Sequence, residues 1–224
     1  MGIPCLILTD QHARYQPLNW PARKKMATVM LYGLIATGSS FNSAVFSSAS
    51  IQVASTFNVS TIVTSLATSM ILLGFALGPL LWGPLSELYG RKWVILLPYF
   101  VSACFAFGCG ASGYIQTVLI TRFFQGVFSS SVITNTSGVL SDIYPPKERG
   151  TALIIYSLSV VGGPLLAPVI GSAIVTSSLG WRWTMYTVGL FQVSNPVEQP
   201  QDLSLYFHWV SLRCRSNVAI RGRT

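Results

Sequence analysis

Five long apolar segments constrain this chain more than any other feature of its sequence. They run over residues 26–54, 61–82, 93–111, 116–140 and 151–175, and a shorter sixth segment opens at 183–193. An α-helix needs about 20 apolar residues to cross the hydrocarbon core of a bilayer, and each of the five is close to or above that length. Only 9% of the residues are charged, whereas an ordinary soluble domain carries about 25%. The sequence therefore predicts an all-α, polytopic membrane helix bundle with an incomplete sixth span.

The basic residues predict how this bundle is oriented in the membrane. They precede the first span, follow the second and follow the fourth, at Arg23, Lys24, Lys25, Arg91, Lys92, Lys147 and Arg149. Because basic loops remain on the cytoplasmic side, we expect residues 1–25 to form a cytoplasmic tail and residues 26–193 to form the bundle. The net charge of +8 then reflects topology. A nucleic-acid partner is not expected, since such partners bind a basic patch beside a soluble fold.

The stretch between the second and third segments carries the most specific motif. It reads GPLSELYGRK at 83–92, with glycine at Gly83 and Gly90, an acid at Glu87 and two bases at Arg91 and Lys92. We predict a tight, charged hairpin on the cytoplasmic side. A carboxylate near a helix N-terminus is stabilised by the helix dipole, and we expect Glu87 to occupy such a position.

Arg122 is a charged residue well inside the fourth span, in the string RFFQG that also contains Gln125 and Gly126. A charge at the centre of a span costs about 2.5–3.5 kcal/mol on insertion scales, so it normally faces a polar interior and marks function. The alternative is an arginine close enough to the outer interface to extend its charge into water. We favour the functional interpretation.

Small residues recur at every fourth position in three spans, which places them on one face of each helix. They are Gly74 and Gly78 in the second span, Gly126, Ser130, Thr134 and Gly138 in the fourth, and Gly163, Ala167 and Gly171 in the fifth. Such faces let helix backbones approach closely in lipid. Pro164 and Pro168 lie one turn apart in the fifth span, and each removes a backbone hydrogen bond. We expect this helix to pack tightly, to bend and to rock.

Together these motifs resemble the major facilitator superfamily of transporters, in its fungal drug:proton antiporter branch. The stretch at 83–92 resembles the superfamily's cytoplasmic loop signature, and RFFQG resembles its fourth-helix signature. The string GGPLLAPVIGS at 162–172 resembles the fifth-helix signature of its antiporters. NWPARKK at 19–25, SDIYPPKERG at 141–150 and WRW at 181–183 fit the same branch. The resemblance covers about residues 17–192.

The resemblance implies one six-helix half of a twelve-span fold. It implies a multi-pass protein of the plasma membrane that exports drugs, toxins, polyamines or secondary metabolites in exchange for protons, with no metal or other cofactor. In such proteins the acid at the position of Glu87 latches the two halves, and the arginine at the position of Arg122 takes part in proton coupling. Arg91, Asp142 and Arg149 lie on the same membrane face as Glu87 and would complete an ionic cluster. For Asp142 and Arg149, ordinary solvated charge is the alternative.

The sequence departs from the family beyond the first half. Family members bind substrate between two related halves, and we expect the second half to be missing or replaced by a second copy of the chain. The tail at 194–224 either lies on the cytoplasmic leaflet as a basic amphipathic segment or is non-native sequence from an altered reading frame or an unspliced intron. We favour the second interpretation.

A truncated transporter that does not pump by itself is therefore our prediction. The spans hold no Asp or Glu away from their cytoplasmic ends, and a proton-coupled carrier needs a titratable group inside the membrane. The alternative is a membrane protein that does not transport, either a remnant or an assembly partner. An enzyme is not expected, because the hydrolase and metalloprotease motifs are missing and both histidines, His12 and His208, lie outside the apolar segments.

Overall fold

The computed structural model describes residues 21–177 and 180–194, and this part of the chain is helical nearly throughout. Its helices are α1 Ala22–Phe57, α2 Thr61–Tyr89, α3 Arg91–Gly110, α4 Ile115–Ile143, α5 Pro146–Thr176 and α6 Arg182–Ser194. No strand occurs in the described ranges. The predicted all-α bundle with a short sixth helix is confirmed. Most of the predicted cytoplasmic tail, at 1–20, and the divergent segment at 195–224 lie outside the described residues.

Short connections join consecutive helices and make them antiparallel neighbours. Asn58 ends α1 in the left-handed region, at φ 51°, where its N–H bonds to the carbonyl of Ala54. Two residues later the hydroxyl of Ser60 accepts a hydrogen bond from the N–H of Ile62 at 3.3 Å and caps α2. Gly90 alone separates α2 from α3, with a φ of 85° that residues with a side chain rarely adopt.

The hairpin between the second and third spans is tighter than the sequence predicted. We expected the turn of this hairpin to extend from Gly83 to Gly90, but α2 continues through Gly83 and Pro84 as far as Tyr89, and α3 begins at Arg91. Membrane helices tolerate proline because the freed backbone groups find other partners. Glu87 therefore lies near the C-terminal end of α2, where the helix dipole is negative. The expectation that a helix N-terminus stabilises Glu87 is wrong.

Most of the main helix pairs in the bundle join helices that are not consecutive in sequence. Helix α1 packs chiefly against α5, α2 packs against α4, and α3 packs against α4 and α6. One apolar core, which includes Tyr32, Tyr99 and Leu140, lies toward the end of the bundle at which α1 begins. A second core, which includes Phe46 and Met185, lies toward the opposite ends.

Four of the described helices, α1, α2, α3 and α5, are long and apolar enough to cross a membrane by themselves. Helix α6 has only 13 described residues. Helix α4 has 29 residues but carries a polar run that the other helices bury, made up of Ser129, Ser130, Ser131, Asn135 and Thr136. A polar helix is tolerated in a bilayer when its polar groups face protein. The span expected at 116–140 therefore depends on its neighbours for its apolar surroundings.

The outer surface of the bundle is apolar, as lipid contact requires. On α2, Leu77 and Leu81 are exposed, and on α5, Leu158, Leu165 and Val169 are more than half exposed. A soluble monomer rarely exposes large contiguous apolar patches. The chain is a multi-pass membrane protein.

Candidate functional site

Arg122 lies in the interior of the bundle and has no exposed surface. Its Nη1 donates to the backbone carbonyl of Asn42 at 3.0 Å and to the Oδ1 atom of the same residue at 3.3 Å. The guanidinium also lies over the ring of Phe46, 4.3 Å from its centroid. Because Asn42 and Phe46 belong to α1, these contacts join α1 to α4 through a buried cation. The outward-extending arginine of the alternative interpretation is not what the structure shows.

Several polar atoms of Arg122 and of nearby side chains make no hydrogen bond. Among the described residues, Nε and Nη2 of Arg122, Nδ2 of Asn42 and both amide atoms of Gln125 are buried without a hydrogen-bond partner. The thiol of Cys109 lies beside the guanidinium. The structure gives Arg122 no carboxylate partner in the described ranges. An arginine keeps its charge in proteins, so Arg122 is a permanent buried cation with unused hydrogen-bond donors.

Gln125 extends the polar cluster toward α3 and α6. It is fully buried, and its backbone carbonyl accepts a hydrogen bond from the hydroxyl of Ser102 at 3.4 Å. The same hydroxyl accepts from Nε2 of Gln192 at 3.4 Å. Polar side chains of α3 and α6 therefore bond to each other and to the backbone of α4, three residues after Arg122 in sequence.

Gly126 lies on the face of α4 that packs against α2. A Cβ atom at this position would overlap the backbone carbonyl of Ile71. Across the same contact, a Cβ at Gly74 would approach the carbonyl oxygen of Phe123 to 2.5 Å. These glycines let two backbones touch, which is the packing that small residues permit in lipid.

The glycines of α5 are placed in the same way against α1. A Cβ at Gly163 would lie 2.8 Å from the carbonyl oxygen of Thr37, and one at Gly171 would lie 3.1 Å from that of Val45. Ala167, between them, is completely buried. The hydroxyl of Ser48 donates to the carbonyl of Pro168 at 3.1 Å, which adds a polar link between the two helices.

Helix α5 continues without interruption through Pro164 and Pro168. Both prolines lie on the more exposed side of the helix, next to the buried face that Gly163 and Gly171 form. The expected bend and the rocking motion of α5 stay predictions.

The residues of the predicted ionic cluster are only partly brought together. Arg91 and Asp142 form an ion pair at 3.1 Å, with side chains 31% and 41% exposed. Arg149 donates from Nη2 to the backbone carbonyl of Ser141 at 2.9 Å. Glu87 is exposed in the last turn of α2. Lys92 is the second residue of α3, and its side chain is not among the described ones.

Several residues that complete the site were not identified from the sequence. Asn42 and Phe46 hold Arg122, and Trp82 donates from Nε1 to the carbonyl of Val127 at 2.7 Å, which fastens α2 to α4. An amide in the middle of an apolar span is the one signal that would have indicated Asn42. No sequence signal indicates Phe46, because an aromatic residue is common in any span.

These features define a class of protein: a polytopic membrane protein whose helices pair through glycine contacts around a buried arginine. The model of one family, the Major Facilitator Superfamily, matches residues 31–197. The chain belongs to the Major Facilitator Superfamily.

Curated relatives agree with this assignment. The chain is 47% identical over 176 residues to the efflux pump bik6 of Gibberella fujikuroi, a match that covers 79% of this chain and 36% of the relative. It is 39% identical over 175 residues to the major facilitator superfamily multidrug transporter FLU1 of Candida albicans, with coverage of 78% and 29%. The chain thus spans about a third of the length of the curated relatives it matches.

Solved transporter structures share the fold. A bacterial homolog of the human lysosomal transporter Spinster superposes with a TM-score of 0.65 at 20% identity, over 81% of this chain and 46% of that protein. The peptide transporter POT in complex with sulfate superposes with a TM-score of 0.69 at 12% identity, over 85% and 40%. At these identities the likeness concerns the fold alone.

Proposed function

We propose that this chain provides one half of a proton-coupled efflux transporter for drugs or secondary metabolites at the plasma membrane. The proposal is supported by relatives named as an efflux pump, a multidrug transporter and biosynthesis-cluster transporters. Transport of small molecules, rather than catalysis, is the activity that this family assignment favours. The described residues form a six-helix unit, which is the size of one half of such a fold.

Arg122 is the observation that carries the proposal. A bundle of this kind would be as stable, or more stable, with a well-packed apolar residue in place of a buried charge. The arginine nevertheless keeps unused donors in the interior and connects α1 to α4 through Asn42. A group that binds to these donors in one conformation and leaves them in another would bias the bundle toward that conformation.

The proton itself must bind elsewhere. Arg122 does not release its proton at physiological pH. The carboxylates of the described ranges, Glu87, Asp142 and Glu148, all lie near the cytoplasmic ends of their helices. We therefore place the proton-binding group outside residues 21–177 and 180–194, in a second half of the transporter. By itself, this chain inserts into membranes but does not pump.

The cytoplasmic ion pair has a separate role in the proposal. Arg91 and Asp142 tie the start of α3 to the end of α4. The exposed carboxylate of Glu87 projects from the same end of the bundle and is free to meet a cation of the other half. We propose that these residues hold the transporter closed toward the cytoplasm. Arg149 supports the connection by its bond to Ser141.

A graft tests the transport role. The segment of the Gibberella fujikuroi efflux pump that matches this chain is replaced by residues 21–194, and efflux of a fluorescent substrate is measured in yeast that lacks its own pumps. We expect efflux from the graft and its loss in the Arg122→Met variant, with partial loss in Arg122→Lys because lysine cannot reproduce the planar donor pattern.

The controls separate loss of function from loss of protein. Leu158→Ala changes an exposed residue of α5 and should leave efflux unchanged. The amount of each variant at the cell surface is measured on blots. A graft that reaches the surface without efflux, or an Arg122→Met variant that pumps normally, contradicts the proposal. Proton flux from the ungrafted chain in liposomes contradicts the statement that it does not pump.

A further inference from the structure

Gly138 lies one turn before Asp142 near the end of α4, and the space beside it holds a side chain of another helix. A Cβ atom at Gly138 would overlap Nη1 of Arg91 and would lie 2.8 Å from Cζ and 3.4 Å from Nη2 of the same residue. The guanidinium of Arg91 therefore rests on α4 at a position that has no side chain.

This contact places the guanidinium beside its acidic partner. Residues four positions apart lie on the same face of a helix, so Gly138 and Asp142 are neighbours on the surface of α4. Nε of Arg91 lies 3.1 Å from Oδ2 of Asp142. One guanidinium thus contacts both positions: its Nε faces the carboxylate, and its outer end lies over the glycine.

The other described charges of the predicted ionic cluster do not take the place of either partner. Nη2 of Arg149 donates to the carbonyl of Ser141 at 2.9 Å, and its charge acts on Asp142 less than that of Arg91 does. Glu87 is exposed in the last turn of α2. In the part of the chain that the structure describes, Asp142 is therefore the carboxylate that pairs with Arg91.

Contact between helix backbones does not explain a glycine at position 138. At Gly126, in the same row of small residues, an added Cβ would overlap a backbone carbonyl of α2. At Gly138 the three nearest atoms all belong to the end of the Arg91 side chain. Glycine is less favourable than alanine within a helix, and the space that it leaves here is used by a cation.

We propose that Gly138 is a positioning residue that seats Arg91 for its ion pair with Asp142. Alanine at position 138 would turn the guanidinium away while the helices stay in place, because the outer end of an arginine can adopt another rotamer. The seat deepens the closing role proposed above for this ion pair, and only its effect on transport rests on that role.

A double-mutant cycle in three backgrounds tests the seat. Arg91→Gln and Asp142→Asn are combined in the unaltered chain, in Gly138→Ala and in Gly150→Ala, and reversible unfolding in mixed micelles is measured. Gly150 lies near the start of α5, at the same end of the bundle, and an added Cβ there would meet nothing within 4 Å. We expect a coupling of about 1.4- to fivefold in the unfolding equilibrium in the unaltered chain and in Gly150→Ala, and none in Gly138→Ala.

A slimmer cation should restore the pair. Lysine ends where arginine has Cζ and lacks both Nη atoms, so it leaves room for a methyl group at position 138. We expect the coupling with Asp142 to return when Arg91→Lys is added to Gly138→Ala. A change in packing alone would not be reversed by this substitution.

Several results would overturn the proposal: undiminished coupling in Gly138→Ala, equal loss in Gly150→Ala, no return with Arg91→Lys, or no coupling in the unaltered chain. Failure of Gly138→Ala to fold would also contradict it, since only a side chain should move. In the graft described above, Gly138→Ala should lower efflux and the added Arg91→Lys should restore it. Normal efflux together with lost coupling would contradict the closing role and leave the seat in place.

Discussion

The adjacent glycines Gly162 and Gly163 allow the packing of α1 against α5 to be measured with a built-in control. A Cβ at Gly163 would lie 2.8 Å from the carbonyl oxygen of Thr37 and 2.9 Å from the amide nitrogen of Phe41. At Gly162 an added Cβ would meet nothing within 4 Å. The two alanine variants therefore differ in one respect, which is contact with α1.

The expected magnitudes follow from two opposing effects. Each Gly→Ala change gains about 1 kcal/mol of helix propensity. Non-bonded atoms prefer separations of about 3.5–4.0 Å, so alanine at Gly163 forces the helices apart. Overpacking of this kind costs about 1–3 kcal/mol. We expect Gly163→Ala to be less stable than Gly162→Ala by that amount, or about five- to 150-fold in the unfolding equilibrium.

Reversible unfolding in mixed detergent micelles, followed by circular dichroism, measures both variants against the unaltered chain. Gly162→Ala should be at least as stable as the unaltered chain, and Gly163→Ala should be clearly less stable than Gly162→Ala. Equal stability of the two variants, or the opposite order, would refute the packing of α1 on α5 through Gly163.

Three further predictions use the same unfolding assay. Arg122→Met should leave the free energy of unfolding unchanged or raise it, because an apolar residue replaces a buried charge with unused donors; a loss of several kcal/mol would contradict this. Trp82→Phe should cost about 1 kcal/mol, since the bond to the Val127 carbonyl is lost, and no change would mean that this bond contributes nothing. In a double-mutant cycle, Arg91→Gln and Asp142→Asn should show a coupling of about 0.2–1 kcal/mol that falls with salt, because both side chains are partly exposed; additive effects would exclude the ion pair.

The sequence was sufficient to predict the helices because lipid imposes a length and a composition on each span. The predicted segments at 61–82 and 93–111 correspond to α2 and α3, and the differences lie at the ends. Helix α2 extends to Tyr89 because Gly83 and Pro84 do not stop a helix that packs on α4. The charge of Glu87 indicated the turn of the hairpin, but α2 continues past this residue to Tyr89.

Which helices pack against each other was harder to predict from the sequence. The spacing of Gly163 and Gly171 indicated a packing face but not that α1 covers it. Likewise, Arg122 indicated a polar interior but not its partner, since Asn42 lies 80 positions away in sequence. Contacts between distant segments depend on how the helices cross, and a single sequence does not contain that information.

Cysteine accessibility measures whether the side chain at position 122 is buried between α1 and α4. In a chain without its four native cysteines, Arg122→Cys is compared with Gly113→Cys, which lies in the open turn before α4. A membrane-impermeant thiol reagent is applied to the folded protein in nanodiscs. We expect rapid labelling at position 113 and none at position 122 until the protein is unfolded. Equally rapid labelling at both positions would contradict it.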